Sequence, residues 1–77
     1  MLVSKNKIIT EASSEFEWIK SSSLEKDEKL NELVDLRNFL TETYLMNKRY
    51  KQHYKLLQEV SNLVSEIDKY WWKLFTE

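Results

Sequence analysis

The stretch Asn47-Lys48-Arg49-Tyr50-Lys51-Gln52-His53-Tyr54-Lys55 sets four cations, two tyrosines and the only histidine within nine residues. Basic side chains neutralise phosphates and tyrosine rings stack on unpaired bases, which makes Lys48, Arg49, Lys51 and Lys55 candidate nucleic-acid contacts. The charge around them is uneven. Residues 43–58 carry these four positive charges and no acid, residues 1–42 hold six basic and nine acidic side chains, and residues 59–77 sum to −2, so the chain totals only −1. That total predicts no polyanionic partner, and four cations are a small footprint for one. Tyr50 and His53 also fit an apolar helical stripe, with the lysines as its solvated flank or as mates for an acidic partner chain.

A second group lies at the C-terminus, where Tyr70, Trp71, Trp72, Leu74 and Phe75 are five large side chains within six residues. Such a cluster closes its own core, docks on another protein through tryptophan and tyrosine anchors, or rests at a bilayer surface. Asp68 and Glu77 flank it and only Lys69 and Lys73 favour anionic lipid, so a membrane ranks last. Trp72 falls off the apolar stripe of its helix, as Trp18 does near the N-terminus. With Phe75 these two form a candidate aromatic anchor.

The remaining polar groups suggest no catalysis. Glu25, Asp27, Glu28, Glu32 and Asp35 are close in sequence, but a carboxylate-bridged metal centre in a helical bundle uses Glu-x-x-His motifs, and none occurs. Helix-dipole compensation and solubility account for these acids more simply. No pair is singled out for acid–base work. A chain without cysteine has no thiolate metal site or disulfide, and one without glycine has no phosphate loop, dinucleotide fingerprint or nucleophile elbow. His53 alone makes neither a metal site nor a relay, and at a stripe position it reads as a packed or pH-sensitive interface residue. The expectation is a protein that is not an enzyme and needs no metal or cofactor.

The elements carrying these groups read as helices throughout, with no sustained alternation and no turn dipeptide. A first helix is expected over about residues 5–20, capped by Ser4, with Val3 stapled to Ile8 and an apolar stripe through Ile8, Ala12, Phe16 and Ile19. Ser21-Ser22-Ser23 interrupts it. Ser22 and Glu25 then have capping-box spacing, which starts a second helix near Leu24.

Where that helix stops depends on which periodicity is followed. Leu30, Leu33, Val34, Leu40 and Tyr44 share one side, whereas His53, Leu57, Val60, Val64, Ile67, Trp71 and Leu74 centre nearly opposite, a phase flip that implies a turn near Asn47. A second frame runs through without interruption: Leu36, Phe39, Thr43, Met46, Tyr50, His53, Leu57, Val60, Val64, Ile67, Trp71 and Leu74, a heptad seam in which Thr43 and His53 are the polar interruptions. Lack of glycine and proline favours this frame, hence a continuous helix over residues 24–75 of about 78 Å. The alternative is a compact three-helix bundle broken near Asn47.

At 77 residues there is room for one all-α domain, whose small core gains from a partner. No apolar run approaches the roughly 20 residues of a membrane span, and Met1 to Thr10 lacks the apolar stretch of a secretory signal, so a soluble, intracellular (cytoplasmic) protein is expected. The favoured function is stoichiometric binding through the seam, as adaptor, assembly subunit or inhibitor, with a second copy or another helical protein as partner. A nucleic-acid-binding helical dimer using residues 48–55 comes second.

Overall fold

Apolar residues recurring at helical spacing, with few β-branched runs and no glycine or proline to interrupt them, favour α-helices over strands. A computed structural model describes the backbone of residues 2–77 and the side chains of residues 7–77. It contains α1 (Leu2–Ser21), α2 (Lys26–Leu40) and α3 (Tyr54–Thr76), in agreement with the all-α expectation. Among the described residues there is no strand, and no helix is long and apolar enough to cross a membrane. α1 begins at Leu2, three residues earlier than expected, so Ser4 lies within the helix and is not its N-cap; the Val3–Ile8 staple lies outside the described side chains.

The serine triplet does separate the first two helices, but its hydroxyls point backward. Ser21 Oγ donates to the Glu17 carbonyl at 3.0 Å and Ser22 Oγ to that of Ile19 at 2.9 Å, so both bond back onto the last turns of α1. Ser22 therefore does not cap the second helix. Glu25 occupies that position, its amide donating to Glu28 Oε1 at 3.4 Å, and α2 begins two residues later than expected. Lys29 Nζ reaches across to the Lys20 carbonyl at 3.1 Å, placing a cation on the negative end of α1.

The continuous helix over residues 24–75 does not form; the chain reverses between Met46 and His53, as the three-helix alternative requires. The physical reason is that this reversal needs none of the residues whose absence argued against it. After Leu40 the helix widens into a π-type coil, Thr41–Leu45, in which the Met46 amide donates five residues back to the Thr41 carbonyl at 2.8 Å. Met46 then sits at φ −98° and ψ 4°, and Asn47 is extended at φ −97° and ψ 117°. Asn47 Oδ1 accepts from the Arg49 amide at 2.9 Å and starts a short 3₁₀ turn, Lys48–Tyr50. No described residue has positive φ, so the left-handed positions that glycine usually fills are not used.

The three helices run up, down and up. Phe16 meets Tyr70 edge-on with ring centroids 5.9 Å apart, Trp71 Nε1 donates to the Leu30 carbonyl at 3.2 Å, and Arg37 pairs with Asp68 at 2.7 Å. Phe16 and Ile19 from α1, Leu33 and Leu40 from α2, and Leu56, Val60 and Ile67 from α3 form the centre of the core, with Ala12 and Tyr44 at its edge. α3 is wedged between the other two helices and so needs two apolar stripes at once. Tyr70 faces α1 while Trp71 and Asp68 face α2, and Val60 and Ile67 are completely enclosed between them.

The molecule is elongated, with principal extents of 39 × 21 × 14 Å. Its radius of gyration is 13.0 Å, against about 11.5 Å for a compact domain of this length.

Leu33 is fully buried, so Leu33→Ala is expected to lower unfolding free energy by about 2–5 kcal/mol in urea titrations. Asn47→Ala removes only the cap of the reversal and is expected to cost about 1 kcal/mol. No loss for Asn47→Ala would mean that its side chain does not hold the turn.

Candidate functional site

With α3 consumed by the core, the seam expected to face a partner is no longer one surface. Val60 and Ile67 are enclosed, and Leu36, Leu57, Val64, Trp71 and Leu74 are half-buried against the same core. Tyr50 and His53 sit in the reversal, half-buried, with rings 5.8 Å apart. Phe39 and Met46 are exposed, Met46 by 74%. The second frame had threaded two exposed residues of α2 and its extension onto a buried stripe of α3. Leu56, almost completely buried, was missed because that frame used its neighbour Leu57.

The C-terminal aromatics pack together into one platform. Trp71 is fixed by its indole hydrogen bond to Leu30, and Phe75 stacks on it at 5.0 Å with only 11° between the planes. Trp72 meets both edge-on, at 5.0 Å from Trp71 and 5.8 Å from Phe75. Such pairs each contribute roughly 0.5–1.5 kcal/mol beyond area burial and so order the cluster. Nevertheless Trp72 stays 59% exposed and Phe75 52%. Trp72, Val34 and the half-exposed Arg37–Asp68 pair line a shallow cleft between α2 and α3 of about 260 Å³. Trp18 is exposed on the outer side of α1 and does not widen that helix's contact with the others.

The basic stretch occupies the opposite end of the bundle. Lys48, Arg49, Lys51 and Lys55 are all exposed, and none is in an ion pair among the described residues. Of its aromatics, Tyr54 is 78% exposed, whereas Tyr50 packs edge-on against Tyr44 at 5.1 Å and is spent on holding the reversal.

A third feature went unnoticed because it belongs to two helices. Between α1 and α2 lies a groove of about 410 Å³, with Ile8, Ala12, Leu36, Phe39, Leu40 and Tyr44 among its apolar walls and Glu11, Glu15, Glu32 and Asp35 among its polar ones. The four carboxylates are legible as acids, but their meeting depends on the register of α1 against α2, which periodicity does not supply. No group of three or more metal-ligating side chains occurs among the described residues.

At the end of this groove, burial, helped by Tyr50 and by the negative charge of Glu11, pushes the Tyr44 phenol above the usual tyrosine value. The folded state then holds this proton more tightly than the unfolded chain. Its contribution to stability is intact below about pH 10, the ordinary tyrosine pKa, and is lost as pH rises through the raised value. Urea midpoints should therefore fall less steeply above that pH in Tyr44→Phe than in the wild type; equal slopes would show that Tyr44 does not carry the effect. No family model matches the chain, and no curated protein or solved structure matches it either.

Proposed function

We propose that the protein is a small helical protein–protein interaction module acting by stoichiometric binding, with Trp72 and Phe75 as its anchors. The observation that carries this reading is the aromatic platform: two large rings remain more than half exposed while packing on each other and on Trp71, whose indole bonds to Leu30. Exposed aromatics that are already ordered lose little freedom on docking, which is the property of an interface hot spot.

The surface of the whole chain supports the same reading. It measures 5820 Å² for 9.4 kDa, against about 5,000 Å² for a compact monomer of that mass. A partner of standard size covers about 800 Å² on each side, roughly a seventh of what is exposed. The first partner is a second copy, meeting this one through the same α2–α3 end in a two-fold arrangement. Sedimentation equilibrium over about a hundredfold range of concentration should show the mass rising from 9.4 kDa toward a dimer. Trp72→Ser with Phe75→Ser should hold the mass at the monomer value with helicity unchanged. A wild-type chain that stays monomeric throughout removes the second copy as partner.

One observation favours nucleic acid as a second reading: the four cations of the reversal have no acidic partner among the described residues, and Tyr54 projects beside them. If they contact phosphates, Lys48→Ala with Arg49→Ala should weaken binding to single-stranded oligonucleotides regardless of sequence. The slope of log affinity against log salt should fall by about 1.4, about 0.7 for each cation removed. Absence of wild-type binding at low salt eliminates this reading.

A further inference from the structure

The groove between α1 and α2 combines an apolar interior with an uncompensated acidic rim. Glu11 and Glu15 on α1 and Glu32 and Asp35 on α2 line the same space. Only Glu11 has a basic neighbour among the described residues, Lys7 on its own helix at 3.9 Å, with both side chains largely exposed. No basic side chain among the described residues comes within ion-pair distance of Glu15, Glu32 or Asp35. Helix dipoles do not account for these positions. Their effect fades within one turn of a terminus, and Glu32 and Asp35 lie in the interior of α2, downstream of Asp27 and Glu28, which occupy its first turn. The rim therefore offers negative charge on both walls of an apolar groove, which complements a cationic occupant.

We infer that this groove docks a cationic amphipathic helix of another protein, which packs on α1 and α2 as a fourth helix. The inference rests on reading the chain as a protein-binding module and assigns it a second surface, separate from the aromatic end. From Ile8 to Ile19 the α1 wall runs about 16 Å, or three turns. That length accepts apolar anchors at i, i+4 and i+7, and lysines or arginines flanking such a stripe fall opposite the carboxylates on either wall. Phe39 is more than half exposed at the rim and packs edge-on against Tyr44, offering a ring for those anchors to cover. A second copy supplies no such helix. Four of its twelve basic residues stand in and beside the irregular reversal, the others are spread among acids over all three helices, and the Leu56, Val60 and Ile67 face of its α3 is already enclosed.

The probe is a fluorescein-labelled 14-residue leucine/lysine amphipathic peptide, titrated with the full chain and followed by fluorescence polarisation. Saturable one-to-one binding is expected, weakening as salt rises. The variant Glu15→Gln/Glu32→Gln/Asp35→Asn is expected to lose about tenfold or more in affinity while keeping the helicity and melting temperature of the wild type. Phe39→Ser should weaken binding as well, and a leucine/glutamate peptide of the same pattern should not bind. Equal affinity of wild type and the neutralised variant, binding of the acidic peptide, or no binding of the basic one would each overturn the assignment. If Trp72→Ser with Phe75→Ser abolishes peptide binding and the neutralised variant does not, the groove is not the site and the interaction-module reading stands on the aromatic end alone. If that aromatic variant leaves peptide binding intact and the neutralised variant loses it, the groove is the site whatever becomes of self-association.

Discussion

The apolar face of α3 is too wide for one neighbour, and the need to cover it from two directions organises the molecule. Val60 and Ile67 are enclosed only because α1 and α2 approach from different sides. Phe16 against Tyr70 secures one contact, and the Trp71 indole on the Leu30 carbonyl secures the other. For α2 to reach α3 in this way the chain must double back, so the reversal at Met46 to His53 follows from the burial requirement. In a chain of 77 residues with so small a core, leaving that face open would remove most of the apolar burial that opposes chain entropy.

Much of this was legible in the residues. The stripe through Ala12, Phe16 and Ile19 is the buried face of α1, the serine triplet ends that helix, and Leu33, Leu40 and Tyr44 form the inward side of α2 and its extension. The phase flip after Tyr44 was the decisive signal for the reversal. It was outweighed by a composition argument that equates turns with glycine and proline, and this chain turns by widening one coil and tightening the next, both with ordinary dihedrals. The uninterrupted heptad frame was a coincidence of two stripes that belong to different helices. Of its members on the α2 side of the reversal, Phe39 and Met46 are exposed, while Leu36 and Thr43 are half-buried. Surfaces shared by two helices stayed hidden for a related reason: the four carboxylates meet only once the register of α1 on α2 is fixed.

The charges end up sorted in space. Carboxylates line the α1–α2 groove, cations crowd the reversal, and Tyr44 lies between them, with its ring on Tyr50 and its phenol within the field of Glu11. The aromatic platform at the far end is flanked by charges of both signs, the Arg37–Asp68 pair with Lys69, Lys73 and Glu77. The faces of this small bundle therefore differ in kind, one acidic and grooved, one basic, one aromatic, and each selects a different class of contact.

The manner of the reversal has a consequence for what its sequence is free to become. A turn built on left-handed backbone hands its key positions to glycine or asparagine, and those positions can then carry little else. Here Asn47 caps the turn and Tyr50 packs against Tyr44 and His53, and no described residue needs a positive φ. Lys48, Arg49, Lys51 and Gln52 therefore occupy sites where the fold makes almost no demand on identity, so the chemical character of this end can drift or be selected without endangering the bundle.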